Sequence, residues 1–287
     1  GMGAARSCLR AGLTTYGIDL SEQARSQLQQ AGAAAVMADA RPLAETLDAV
    51  LLLVVNAAQV RRILFGEEEL ARHLKPGTAI MVSSTIAAEE ASTLAAELAQ
   101  LGLPMLDAPV SGGAIKADAG EMTVMAAGSD AAFDKLAPVL DAVSGKLYRV
   151  GSEPGQGSTV KIIHQLLAGV HIAVAAEAMA LASRAGVSLD LMYDVVTHAA
   201  GNSWMFENRM PRVLTGDYQA RSAVDIFVKD LTLVADTAKA LRFPLPLAST
   251  ALNMFLGASN AGHGQEDDSA VIKIFSGIQL PGQEDQA

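Results

Sequence analysis

Between residues 14 and 150 short β-rich runs alternate with helical patterns, and after residue 157 only helical patterns remain. The alternation predicts βαβ units and a parallel sheet, because parallel neighbours need a crossover that a helix supplies. TTYGID (14–19), DAVLLLVV (48–55), TAIMVSS (78–84), PMLDA (104–108) and EMTVMAA (121–127) read as strands. A run that is apolar without interruption, such as 50–55, suits a strand covered on both faces. SEPGQG (152–157) reads as a linker, and helices are predicted over 158–185, 188–199, 205–214, 223–241 and 246–258. A chain of 287 residues is long for one core, so we divide it into an α/β domain, 1–151, and an all-α domain, 152–287. No internal repeat is visible, and 279–287 is a polar tail expected to be mobile.

Charge and composition narrow the partners. A net charge of -10 argues against nucleic acid and anionic membranes, which favour clustered Lys and Arg. The single cysteine, Cys8, rules out an internal disulfide and a multi-cysteine metal site, as a reducing cytoplasm would have it. His171, His198 and His263 do not group with acidic residues at ligand spacing, so no catalytic metal is expected. The stretch after Lys161 is apolar enough to suggest a membrane span. His164, Gln165, His171 and Glu177 interrupt it, and a buried helix is the preferred reading.

At the start, Gly1-Met2-Gly3 leads into a helical pattern (4–11), then a strand ending in Asp19. Helix, second strand and terminal acid are the last three parts of a dinucleotide-binding unit. We read Gly1 as the third glycine of G-x-G-x-x-G, with the first strand and opening glycines upstream of this sequence; a tag-derived glycine before Met2 is the other reading. The fold class is then α/β, a Rossmann-type doubly wound parallel sheet without its first strand, followed by an all-α domain. Asp19 would accept hydrogen bonds from the adenosine ribose and repel a 2′-phosphate, which favours NAD over NADP; it could also be a plain turn aspartate. Val54, Val55 and Asn56 end a neighbouring strand and would line the same cleft, although Asn56 could equally cap the next helix.

Within GSTVKIIHQ (157–165), Lys161 stands at the head of the apolar helix, and a helical pitch puts His164 and Gln165 on its face. Burial there would lower an ammonium pKa and make proton transfer feasible near neutrality. The plain alternative is a lysine snorkelling from a core helix. Ser111-Gly112-Gly113 follows a strand end, where glycines let the backbone approach a ligand and present its N–H groups, or simply make a turn.

The segments LDAPVSGG (106–113), GEMTVM (120–125), GSTVK (157–161) and FVKDL (227–231), in that order, resemble the β-hydroxyacid dehydrogenase family over essentially the whole chain. The resemblance implies an NAD-dependent hydroxyacid dehydrogenase with Lys161 as the proton-transfer residue. Ser111, Gly112 and Gly113 would hold the substrate carboxylate, Thr85 would contact the nicotinamide half of the cofactor, and Lys229 would lie against it. It also implies a homodimer or homotetramer, as does an apolar helix as long as 158–185.

Where many members carry asparagine three residues after the lysine, this chain has His164, then Gln165. A histidine can donate and accept, which suits a polyhydroxylated acid. Together with GNSWMFENR (201–209), this resembles the branch of the family that oxidises L-threonate at C2 to 2-dehydro-L-erythronate. Asn202 and Ser203 would meet the distal hydroxyls, while Trp204 and Phe206 read as packing anchors. Reduction of 2-hydroxy-3-oxopropionate or oxidation of 3-hydroxyisobutyrate uses the same segments and stays open. So does a non-catalytic chain impaired in cofactor binding.

Overall fold

A computed structural model describes residues 1–67 and 69–281; of the polar tail, 282–287 lie outside the described residues. The chain forms two compact units, Gly1–Lys161 and Ile162–Ala287.

The first unit runs α1 (Met2–Arg10), β1 (Tyr16–Ile18), α2 (Glu22–Gln30), β2 (Ala35–Met37), β3 (Ala49–Leu52), α3 (Ala57–Phe65), α4 (Leu70–His73), β4 (Ala79–Val82), α5 (Ala88–Gln100), β5 (Met105–Asp107), β6 (Val110–Ser111), α6 (Gly113–Ala119), β7 (Met122–Ala127), α7 (Asp130–Val143) and β8 (Ser144–Gly151). Strands β3, β4 and β5 are parallel neighbours, as the alternation predicts. The sheet then turns mixed: β7 joins β5 antiparallel, β6 pairs antiparallel with β7, and β8 lies parallel to β7. Strands β1 and β2 form a separate parallel pair. The sequence reading missed β2, β6 and β8. The first two are only three and two residues long, and β8 (SGKLYRVG) carries two cations and no buried residue, so it lacks the apolar run that marks a covered strand.

Strand β4 shows why the middle of the sheet is apolar throughout. Ile80 and Val82 face one core, with Val60, Leu64, Leu94 and Leu98 from α3 and α5. Ala79 and Met81 face the other, with Ala4, Leu136 and Leu140 from α1 and α7. Alternate side chains point to opposite faces, so a strand covered twice must be apolar at every position.

Helix α8 (Gln156–Arg184) starts in the first unit and continues through the second, which adds α9 (Leu189–Thr197), α10 (Trp204–Thr215), α11 (Val224–Ala240) and α12 (Pro246–Ala258). Ser188 and Ser203 cap α9 and α10, each hydroxyl accepting from an amide one turn on. One core joins these helices, with Phe227 stacked on Phe255 at 5.2 Å and Phe206 on Tyr193 at 5.9 Å. Trp204, expected to be an anchor, is instead half exposed on the first turn of α10; of the two aromatics only Phe206 points into the core. The segment after α12 is fastened by ion pairs: Arg209 grips Asp268 and Arg212 grips Asp267, both carboxylates fully buried.

By length and composition α8 could cross a bilayer, with a mean hydropathy of 1.7 over its apolar window, yet half of that window is buried inside the protein. The compact units divide later than the compositional break at 152, because the first turn of α8 is bonded to β5 of the sheet.

Candidate active site

Parallel strands bring their carboxyl ends to one edge, where ligands of open α/β sheets lie. At that edge Val54 and Val55 follow β3, Thr85 follows β4, and Asp107 ends β5. Val54 is packed into the core while Val55 is exposed. Asn56 takes the capping role: its Oδ1 accepts the Gln59 amide at 2.9 Å at the start of α3. Thr85 is half-buried and stands directly after Ser83 and Ser84, whose buried hydroxyls have no hydrogen-bond partner within the protein. Buried hydroxyls are normally satisfied, so two orphans at a strand end fit a polar ligand laid against that edge. In the sequence, the signal for these serines is two hydroxyls closing an otherwise apolar strand.

Gly1 occupies the N-cap of α1. The Asp19 carboxylate lies within electrostatic reach of Gly1, which places Asp19 near the start of that helix. Asp19 is exposed at the end of β1, and its Oδ1 accepts the Ser21 amide at 2.8 Å. Both the turn role and an outward carboxylate edge are therefore present. Exposed Asp19, the α1 start and the serine orphans are together compatible with a bound dinucleotide.

The glycine segment is shaped by backbone demand. Gly112 adopts φ 126°, and a Cβ there would stand 2.7 Å from Cβ of Lys116, so no other residue fits without displacement. Ser111 pairs with Thr123 across β6 and β7, and Gly112 and Gly113 follow it into α6.

Lys161 is positioned by a carboxylate the sequence reading overlooked. Asp107, fully buried, accepts the amides of Gly155 and Ser158 at 2.8 Å each and the Ser158 hydroxyl at 2.7 Å. Burial pushes its carboxyl above the usual aspartate range, and the bonds from Ser158 and Gly155 pull it back. Gly157 completes the fit: a Cβ would meet the Asp107 carbonyl at 2.4 Å and that of Met125 at 2.7 Å. Lys161 follows one turn after Ser158 and is only 6% exposed, so the snorkelling alternative does not describe it.

In the second unit, His164 Nδ1 lies 3.0 Å from Gln165 Oε1, and Gln165 Nε2 donates to Asp230 Oδ2 at 2.6 Å. The other oxygen of Asp230 faces the Lys229 ammonium at 2.6 Å, an ion contact whose angle does not suit a hydrogen bond. Asp230 is buried, so this is no surface pair. Gln165, expected to touch substrate, has its amide engaged at both ends. Ser203 Oγ accepts the Phe206 amide at 3.1 Å as a helix cap. Asn202 donates to Glu207 at 2.5 Å, and its buried Oδ1 has no partner within the protein, which leaves an acceptor for a ligand donor. Among the described residues no three His, Cys, Asp or Glu side chains group as a metal site.

Comparison with known proteins places these halves in context. Residues 1–151 match the family model described as the NAD binding domain of 6-phosphogluconate dehydrogenase. Residues 155–275 match that described as the NAD-binding domain of NADP-dependent 3-hydroxyisobutyrate dehydrogenase. A protein of Escherichia coli O6:H1 named L-threonate dehydrogenase is 73% identical over 98% of this chain and 93% of its own length. One of the same name from Haemophilus influenzae is 67% identical over 98% of this chain and 93% of its own. A crystal structure from Salmonella typhimurium, described as 3-hydroxyisobutyrate dehydrogenase, superposes with a TM-score of 0.93 at 70% identity, covering 96% of each chain.

Proposed function

The chain belongs to the NAD-binding β-hydroxyacid dehydrogenase family of 3-hydroxyisobutyrate dehydrogenase relatives, and on that premise we propose that it oxidises L-threonate at C2 to 2-dehydro-L-erythronate with NAD. The observation that carries this reading is the 73% identity to a protein named L-threonate dehydrogenase, over nearly all of both chains.

In this reading Ser111 and the backbone amides of Gly112 and Gly113 hold the substrate carboxylate. Lys161, as the neutral amine, takes the proton of the C2 hydroxyl while the carbinol hydrogen leaves as hydride; in reverse its ammonium returns the proton. NAD, when bound, supplies the hydride acceptor at C4 of its nicotinamide. Gly1, Asp19, Val54, Val55, Asn56 and Thr85 hold the cofactor, joined by Lys229, and the domain 1–151 is the cofactor domain. His164 and Asn202 take the distal hydroxyls, within the substrate and oligomerisation domain 152–287.

A polar face of this kind favours a polyhydroxy acid over 3-hydroxyisobutyrate. Setting a methyl against Asn202 would leave its buried Oδ1 without a partner, which costs about 1–3 kcal/mol. Ile163, Leu167, Val174 and Leu181 recur on one face of α8 and are each more than half exposed. Such a stripe supports burial in a homodimer or homotetramer. A cytoplasmic location fits an enzyme drawing on the soluble NAD pool.

Steady-state kinetics with L-threonate, D-glycerate and 3-hydroxyisobutyrate, each with NAD and NADP, test the reading. The highest kcat/KM is expected for L-threonate with NAD. A higher value for either other acid overturns the substrate assignment.

A further inference from the structure

We propose that Asp230 and Gln165 are positioning residues that lock His164 in its Nδ1–H tautomer, so that Nε2 offers a lone pair to a hydroxyl of the bound acid. The inference rests on the reading above only in giving His164 a substrate to meet; the tautomer is a property of the free protein.

Each link of the chain has only one polarity. Asp230 is buried, with Oδ1 against the Lys229 ammonium at 2.6 Å, and a carboxylate so paired can only accept. Its Oδ2 therefore faces the amide nitrogen of Gln165, at 2.6 Å. A carboxamide that turns its nitrogen to one side turns its oxygen to the other, and that oxygen stands 3.0 Å from His164 Nδ1. An amide oxygen has no proton to give, so Nδ1 must carry one. In the neutral ring Nε2 then has none and is an acceptor.

The consequence is a specificity element. An acceptor at Nε2 rewards a substrate that brings a hydroxyl proton and gives nothing to a methyl. Asparagine at this position could turn either end of its amide toward the ligand. Histidine under this relay presents one polarity, and the residue that sets it, Asp230, lies 66 positions further along the chain on α11, while Gln165 sits beside His164 on α8. Residues on two packed helices thus set one ring nitrogen, and of Asp230, Gln165 and His164 only His164 meets the substrate.

The test is 15N spectroscopy of the histidine rings in the whole, histidine-labelled protein without substrate, above the pH at which His164 is protonated, with His164→Asn identifying the signal. The wild type is expected to show a protonated Nδ1 and an unprotonated Nε2. Gln165→Leu is expected to move the proton to Nε2 and to raise the KM for L-threonate about tenfold, the loss of one hydrogen bond, with a smaller change in kcat. Asp230→Asn, which frees Gln165 to turn, is expected to give both tautomers. A wild-type ring protonated at Nε2 overturns the proposal even if no variant folds, and so does a Gln165→Leu ring that keeps its proton on Nδ1. If the ring is as expected but His164→Asn leaves the KM for every tested acid unchanged, the relay stands as a property of the protein and the assignment of His164 to the substrate falls.

Discussion

Asp107 holds Ser158 twice, accepting its hydroxyl on Oδ1 at 2.7 Å and its amide on Oδ2 at 2.8 Å. The pair ties the first turn of α8 to the end of β5, and Lys161 takes its place from that tie. Asp107→Ala would leave the Gly155 and Ser158 amides and the Ser158 hydroxyl unpaired. At about 1 kcal/mol for each bond, a loss of about 3 kcal/mol is expected. Asp107→Asn keeps an acceptor oxygen and should lose less. Calorimetric melting of both variants checks the order, and a smaller loss in the alanine variant would contradict it.

Gly157 has no room for a side chain. In Gly157→Ala the new methyl must push on the carbonyls of Asp107 and Met125, which lie within 2.4 Å and 2.7 Å. Overpacking of this kind costs about 1–3 kcal/mol. Because the backbone that yields is the one carrying Lys161, kcat should fall along with the melting temperature. A variant with wild-type kcat would show that α8 tolerates the shift.

Lys161→Ala removes the proposed proton acceptor while leaving the carboxylate-binding segment in place. The kcat should fall by about 10²–10⁴, the usual range for general acid–base catalysis, with little change in KM. Steady-state kinetics in the oxidation direction read this directly.

Asp19 stands exposed at the end of β1, near the start of α1. Removing its charge in Asp19→Ala takes away the ribose acceptor and the repulsion of a 2′-phosphate. The Kd for NAD should rise about tenfold, as for one lost charged hydrogen bond, and the preference over NADP should shrink. Calorimetric titration with NAD and with NADP measures both.

Acid should loosen the second unit through Asp267. Burial works to raise its carboxyl, but the hydrogen bonds from Arg212, Ser269 and Arg221 outweigh burial and hold it below the usual aspartate range. A carboxyl depressed in the folded state adds stability above its unfolded pKa and loses it as pH falls through the folded value. Its contribution should therefore fade below about pH 4. The neighbouring Asp268 has the opposite sign, since burial pushes it up despite Arg209. Asp267→Asn isolates the first effect: melting temperature against pH should be flatter on the acid side than in the wild type.

The order of elements was legible in the sequence because each was signalled locally. Strand β4 is apolar at every position since both faces are covered, helices α9 to α11 carry apolar faces that show their period, and α8 is apolar over a length no strand reaches. The candidate site comes from the sequence on similar local grounds: Ser111-Gly112-Gly113 and Lys161 are residue types that a strand end or an apolar helix head seldom needs, and their roles are the proposal made above. Strands β2, β6 and β8 were not, because strands this short or this polar are made by their neighbours in the sheet. Trp204 misled because its size suggests burial, whereas its own position on the first turn of α10 faces outward while Met205 and Phe206 beside it face the core.

What the tertiary structure decided was which polar groups are already engaged. Asp107 reads as the end of a strand until the fold brings Ser158 to it from 51 residues away. Gln165 reads as a ligand beside His164 until Asp230, 65 residues on, takes its amide. Local sequence sets propensity and the side a residue faces, but a hydrogen bond is settled by a partner's position to within a few tenths of an ångström. Only the folded chain brings distant segments that close.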